Sequence, residues 1–279
     1  MEQGEYSLSE REFARIKARV YTVAGISLSD AKRTLVISRL SKILRAHGLP
    51  SFDAYVDFLE KGGSAEDSQE FVNALTTNLT RFYREDHHFD HLRQFVGNLI
   101  NERPRGQRLR IWSAGCSTGQ EPYTIGLDLL VAFPELKRWD FKILATDIDT
   151  SVIQKASMGV YPESELAGLS AERSRHFEKS NGMIRVPQAV RELISFKQLN
   201  LIGQWPMKGP FDAIFCRNVA IYFDKPTQGE VFSRLGKMLA PEGFLYIGHS
   251  ENLGTSGEAF RLVGKTIYQS REKLNRRAA

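Results

Sequence analysis

Three clusters in this 279-residue chain carry side chains whose types and spacing could do chemistry together. The first is the loop Gly115-Cys116-Ser117-Thr118-Gly119-Gln120-Glu121-Pro122, which follows a β-type run over 109–113. Glycine there lets backbone amides approach a ligand closely, although a strand-to-helix turn uses glycine just as often for local reasons. The loop lacks both the dinucleotide-phosphate fingerprint and the lysine of a P-loop, so nucleotide phosphates are disfavoured. The second cluster is Asp147-Ile148-Asp149, at the end of the next β-type run. In a doubly wound sheet a carboxylate at the place of Asp147 accepts hydrogen bonds from both ribose hydroxyls, whereas Asp149, just ahead of Thr150 and Ser151, suits a helix cap. A nucleoside without phosphates, held by a glycine loop and an acid, points to S-adenosylmethionine. Glu121 would then face the ligand's methionine end or its adenosine edge. The third cluster is Arg217-Asn218 with Tyr222 beyond. The Asn- or Asp-Pro-Pro-aromatic turn that takes the hydrogens of an exocyclic amine is absent, and donors stand in its place, which suits an acceptor that is already an anion. A carboxylate needs no general base to attack a sulfonium methyl, so alignment and charge placement would carry the catalysis.

These clusters need a parallel sheet to bring them together, and the pattern from residue 108 onward supplies one. Short β-type runs over 109–113, 141–146, 194–198, 211–216 and 244–248 alternate with helices over 122–133, 151–156 and 226–239. Pro122 and Pro226 suit a first helical turn. Residues 183–190, after Gly182, read as a small hairpin inserted before the third run. The first eighty residues read instead as four helices, from apolar residues such as Phe13, Ile16 and Val20 recurring at helical spacing. Ser9 with Glu12 forms a capping box, and Ser29 or Asp30 can cap the second helix. Gly48-Leu49-Pro50 and Gly62-Gly63-Ser64 end the second and third, and 67–79 supplies the fourth. On spacing alone, the polar residues Asn78, Thr80 and Arg84 among aromatics read as a solvated helix end.

Composition bounds the function classes. At 42% hydrophobic and 25% charged the chain is globular, and no apolar run nears the roughly 20 residues of a membrane span. The start Met1-Glu2-Gln3-Gly4-Glu5 is no secretory signal, which predicts a cytoplasmic protein. Two cysteines, Cys116 and Cys216, fit reduced thiols, and with six scattered histidines they predict no metal centre. The net charge of +5 is uneven: nine Lys or Arg fall between Arg11 and Arg45 against Glu12 and Asp30, whereas 46–75 holds Lys61 against six acids. The basic end, with Arg271, Lys273, Arg276 and Arg277, reads as a frayed tail. An RNA or DNA methyltransferase is opposed by the missing amine-type turn and by the lack of a basic stripe interleaved with aromatics. A non-catalytic S-adenosylmethionine-binding signalling module is opposed by Arg217 and Tyr222.

Five ordered motifs carry a resemblance. Thr-Thr-Asn-Leu-Thr-Arg-Phe-Tyr-Arg-Glu at 76–85 with His-His-Phe at 87–89, Ser-Thr-Gly-Gln-Glu-Pro-Tyr at 117–123, Ala-Thr-Asp-Ile-Asp at 145–149, Phe-Cys-Arg-Asn-Val with Ile-Tyr-Phe at 215–223, and Gly-His-Ser-Glu-Asn at 248–252 resemble the CheR family of chemotaxis protein-glutamate O-methyltransferases. The resemblance implies an α/β fold: a helical N-terminal domain over 1–77, a linker over 78–107 that reaches the cofactor, and a Rossmann-like methyltransferase domain over 108–279 with an antiparallel β-subdomain at about 176–193. It implies S-adenosylmethionine as methyl donor, S-adenosylhomocysteine as product, and glutamates on the cytoplasmic helices of chemoreceptors as acceptors. Carried over by motif, Asn78, Thr80, Arg84, Gly115, Glu121, Asp147, Asn200, Leu201, Arg217 and Asn218 bind the cofactor, and Arg84, Arg217 and Tyr222 form the reacting centre. The basic second helix, with Lys32, Arg33, Arg39, Lys42 and Arg45, falls where the family meets its acidic receptor helices. The loop Glu178-Lys179-Ser180-Asn181-Gly182 is shorter than in members that dock on a receptor's C-terminal pentapeptide, which argues against such tethering. The protein is expected to act as a monomer, without nucleic acid or membrane insertion, and His87, His88, His91 and His249 are expected to be structural.

Overall fold

The structure, a computed structural model, describes residues 6–102 and 107–271, so the basic tail from 272 onward lies outside the described residues. The N-terminal unit consists of α1 (Glu10–Ala24), α2 (Arg33–Ala46), α3 (Phe52–Lys61) and α4 (Ala65–Leu75). Phe13, Ile16 and Val20 of α1 are buried against Leu40, Leu44, Phe52, Tyr55 and Phe71 in one core. The Ser9–Glu12 capping box is present, and α1 ends on Gly25 at φ 71°. An added Cβ at Gly25 would lie 2.8 Å from Ile202, so this glycine lets the helical unit approach the sheet domain.

Two helix ends differ from expectation. Ser29 makes no side-chain cap, and Asp30–Lys32 form a 3-10 turn, with Asp30 ion-paired to Lys17 at 3.0 Å. The fourth helix starts earlier, from a second capping box between Ser64 and Asp67, and stops at Leu75 rather than Leu79. Thr76 leaves helical geometry because its hydroxyl donates to the buried Asp149 carboxylate at 2.7 Å. The segment after it is therefore an extended strap across the sheet domain, not a solvated helix end. Beyond that strap α5 (His87–Glu102) packs Phe89, Leu92 and Val96 into the main core, a helix the sequence reading left as linker.

The remaining elements follow in chain order: β1 (Arg108–Ala114), α6 (Gln120–Ala132), β2 (Asp140–Asp147), α7 (Thr150–Met158), β3 (Val160–Pro162), α8 (Ala171–Ser174), β4 (Glu178–Ser180), β5 (Met183–Arg185), α9 (Gln188–Arg191), β6 (Ile194–Gln198), β7 (Phe211–Cys216), α10 (Lys225–Met238), β8 (Leu239–Ile247), β9 (Phe260–Gly264) and β10 (Ile267–Ser270). The main sheet runs β6-β2-β1-β7-β8-β10-β9, parallel from β6 to β8, with β10 antiparallel to both neighbours. β7 is buried at every position, as a central parallel strand covered on both faces must be. The strand order reverses at β1, with β2 on one side and β7 on the other, so a crevice opens at their carboxyl ends. That crevice receives the ends of all three chemical clusters.

The inserted hairpin is also relocated. Its strands are β4 and β5, joined by Asn181-Gly182 at φ 51° and 71°, the left-handed pair that a two-residue hairpin turn requires. Gln188–Arg191 is helical instead, and β3, from outside 176–193, completes a separate three-stranded sheet. Among the described residues no helix is long and apolar enough to cross a membrane.

The histidines of α5 clip it to the sheet. His88, fully buried, lies 2.9 Å from the Thr266 hydroxyl, and His91 lies 3.0 Å from the Tyr246 hydroxyl. Burial, reinforced by the nearby Arg217 charge, holds His88 down to about 3, with Glu85 pulling weakly the other way. An unfolded histidine takes its proton near pH 6.5, so the unfolded chain binds the proton first as pH falls. Stability is therefore expected to decline from about pH 6.5 towards pH 3, and denaturant midpoints of His88→Phe should show a shallower decline than wild type across that range.

Candidate functional site

The crevice is a cavity of about 290 Å³ between the helical unit, the strap and the carboxyl edge of the sheet. Asn78, Thr80, Arg84, Gly115, Glu121, Asp147, Asn200, Leu201, Arg217, Asn218 and Tyr222 all border it. The structure thus brings together residues from five separate segments, through the sheet topology and the strap.

Gly115 sits at φ 83°, and an added Cβ would lie 2.2 Å from Val219. The loop therefore needs glycine both for its conformation and for its contact with the turn after β7. Asp147 ends β2 with its carboxylate accepting from the Ser117 amide at 2.8 Å and the Asp149 amide at 3.0 Å, and burial pushes its pKa up. Each carboxylate oxygen keeps a further acceptor site. Asp149 caps α7 through the Ser151 and Val152 amides, at 2.8 and 3.3 Å, and its other oxygen holds Thr76 and Asn78, each at 2.7 Å. The side-chain amide of Asn78 is thus spent on the strap, whose carbonyl at Asn78 also accepts from the Ser117 hydroxyl at 2.9 Å. Asn200 likewise donates to the Val23 carbonyl at 2.7 Å and joins the two units. Arg84 donates to the Leu79 carbonyl at 2.9 Å and fixes the strap's bend.

At the opposite wall Arg217 is almost fully buried between two carboxylates. Its guanidinium lies 3.1 Å from Glu121 and 3.4 Å from Glu85, and it donates to the Arg84 carbonyl. Burial pushes Glu121 up, although Arg217 and a 2.7 Å hydrogen bond from Ser113 oppose it. Burial would push Glu85 up as well, but the His249 contact at 2.8 Å and the Arg217 charge hold it down to about 2. Of the two acids only Glu121 borders the cavity, beside Arg217, so it is the carboxylate of this network that a ligand can meet.

Two residues of this wall carry no role in the sequence reading. Glu85 links Arg217, Asn218 and His249. Glu251 accepts from the Gly248, Asn218, Val219 and Ile221 amides, the last three at 2.9, 3.0 and 3.3 Å, and so shapes the turn that carries Asn218 at φ 59°. Both are acids inside motifs already singled out, and only tertiary contact separates them from surface carboxylates. His249 is exposed, yet its ring is held by Glu85.

The basic second helix divides. Lys32, in the 3-10 turn, and Lys42 and Arg45 of α2 are exposed. Arg33 donates to the Leu8 carbonyl at 2.8 Å, pairs with Glu10 and stacks over Phe13. Arg39 donates to the Ala74 carbonyl at 3.1 Å and to that of Thr76. Arg33 thus ties α2 to the start of α1, and Arg39 closes the end of α4.

The sequence profile described as "CheR methyltransferase, SAM binding domain" matches residues 78–269, and "CheR methyltransferase, all-alpha domain" matches 11–76. The chain belongs to the CheR methyltransferase family. A probable chemotaxis protein methyltransferase of Rhizobium etli is 46% identical, covering 93% of this chain and all of that protein. Chemotaxis protein methyltransferases of Salmonella typhimurium and Escherichia coli are 44% and 43% identical, each covering 94% of this chain and 91% of theirs. This CheR protein is an S-adenosylmethionine-dependent methyltransferase. The cavity fits that donor: a glycine cradle where no Cβ could stand, a carboxylate with spare acceptor sites at the end of β2, apolar Leu199 and Leu201 beyond it, and the Glu121 carboxylate at the opposite wall.

Proposed function

We propose that the protein methylates glutamate side chains on the cytoplasmic helices of chemoreceptors, forming glutamyl methyl esters that serve sensory adaptation, and that it works in the cytoplasm as a monomer. The observation that carries the reading is the wall of the cavity after β7, where Arg217, Asn218 and Tyr222 stand without an amine-type turn, in a chain whose relatives are chemotaxis methyltransferases. S-adenosylmethionine supplies an electrophilic sulfonium methyl. The new bond joins that carbon to a carboxylate oxygen as the carbon–sulfur bond breaks, and no proton has to be removed.

The residues then divide the work. Asp147 accepts from the ribose hydroxyls, Asn200 and Leu201 bound the adenine, and Gly115 lets the loop backbone close on the ligand. Asn78, Thr80 and Asn218 complete the cofactor contacts, with Asn78 acting through the strap it pins. Glu121, positioned by Ser113 and Arg217, faces the methionine end. Arg84 and Tyr222 hold the incoming carboxylate in line, so that orientation and charge placement lower the barrier. The same reading divides the chain into 1–77, 78–107 and 108–279, and the two-residue turn at Asn181-Gly182 supports docking without a receptor pentapeptide. Peptide mass spectrometry of a receptor cytoplasmic domain, after incubation with enzyme and S-adenosylmethionine, should locate methyl groups on glutamates. Methyl groups on lysine, arginine or added nucleic acid instead would replace this reading.

The exposed cations give a further expected result. Lys42→Glu with Arg45→Glu should slow methylation at low salt, and the slowing should fade as salt screens the surface, with S-adenosylhomocysteine affinity unchanged. Arg39→Ala should instead lower thermal stability, because the Ala74 and Thr76 carbonyls lose their donor. Initial rates over a salt series, beside melting curves, separate the two effects. A charge-reversal variant with wild-type rates at every salt concentration would return α2 to an ordinary solvated face.

A further inference from the structure

Two apolar side chains stand exposed at the mouth of the cavity. Leu79 is 80% exposed and Ile221 46% exposed, and both border the cavity. Neither sits on a loose segment. The Leu79 carbonyl accepts from Arg84 at 2.9 Å, and the neighbouring Asn78 side chain is tied to Asp149. The Ile221 amide donates to Glu251 at 3.3 Å. The rim is thus held in place from two different loops, with exposed Arg81 and half-buried Arg84 beside it.

What enters such a mouth is constrained by geometry. The acceptor is a carboxylate, which the two arginines attract. A glutamate on a helix cannot reach into a cavity without bringing its own turn against the rim, and the residues three and four positions away lie on that same face. Apolar rim side chains favour apolar neighbours there and reject charged ones, because a charge pressed against Leu79 or Ile221 would lose its water.

We propose that Leu79 and Ile221 form a rim that reads the residues three and four positions from the acceptor glutamate on an amphipathic substrate helix, and so select which glutamates are methylated. The inference rests on the carboxylate-methylation reading above and adds to it the class of sequence accepted.

The test uses the full-length enzyme, a receptor cytoplasmic domain and radiolabelled S-adenosylmethionine. Leu79→Asn with Ile221→Asn should raise KM for the receptor about tenfold, the scale set by losing burial of one large aliphatic side chain. S-adenosylhomocysteine affinity by calorimetry should not change, and Leu79→Met should behave as wild type. On the substrate side, placing lysine three positions from an acceptor glutamate should suppress methylation at that glutamate by the wild-type enzyme, and less so by the double variant. An unchanged KM together with an unchanged distribution of methylated glutamates would overturn the inference. A wild-type enzyme that leaves the receptor unmethylated would overturn the parent reading, and the inference with it.

Discussion

Arg217→Met is expected to abolish methyl transfer and to lower stability by about 3–5 kcal/mol, the range for stripping one partner from a buried ion pair. The Arg217 side chain is 2% exposed and faces Glu121 at 3.1 Å and Glu85 at 3.4 Å. Without it two carboxylates share a poorly solvated wall. Glu121, already pushed up by burial, loses the guanidinium that opposes that shift and takes a proton, so the carboxylate facing the cationic end of the donor becomes neutral. The acid response should change as well. Glu85 sits at about 2 although burial alone would raise it, so its contribution to stability is present above about pH 4.5 and is lost as pH falls towards 2. With Arg217 gone, that contribution should shrink. Adding Glu85→Gln to Arg217→Met should recover part of the stability and none of the transfer. Urea unfolding and single-turnover methylation, run on the same variants, give both readouts, and an Arg217→Met enzyme with wild-type stability and rate would remove this network from the account.

The second large effect is on the cofactor. Asp147→Ala should weaken S-adenosylhomocysteine binding about ten- to hundred-fold, as a charged acceptor is lost to the ribose. The structure adds a second route to the same loss, because this carboxylate also holds the Ser117 and Asp149 amides. Asp147→Asn keeps one acceptor oxygen for those amides, so it should fall between wild type and alanine. Calorimetry on variants with wild-type melting curves decides the matter. Equal affinities across the series would sink the ribose assignment.

How much of this was legible in the sequence depends on whether local pattern or tertiary contact did the work. β1, β2 and β7 are legible within a residue or two from apolar runs bounded by turn residues, as covered parallel strands require, and β6, at the sheet edge, from the alternation of Ile194 and Phe196. β9 and β10 are not legible: in β9 Leu262 and Val263 are exposed, and β10 is only four residues long with burial at its two ends, so neither carries a clear alternation. The spacing of Leu75 and Leu79 carries the fourth helix of the sequence reading on to residue 79, into what is the strap. Thr76 leaves the helix for a carboxylate on α7, a partner remote in sequence. The same limit applies at the site. Spacing and motif singled out the residues that line the cavity, whereas Glu85 and Glu251 do their positioning through contacts that only the fold creates. Arg33 and Arg39 show the converse, cations that read as a charged face and are used inside the helical unit.

The central claim is that the acceptor is a carboxylate, and the fate of the transferred methyl group under mild alkali tests it most directly. Chemoreceptor-containing membranes would be incubated with the enzyme and radiolabelled S-adenosylmethionine, freed of donor, and exposed to mild base. An ester releases its label as volatile methanol, so the label should leave the protein and appear in the vapour. Label that stays on the protein through the base treatment would mean methylation at nitrogen, and would contradict the account.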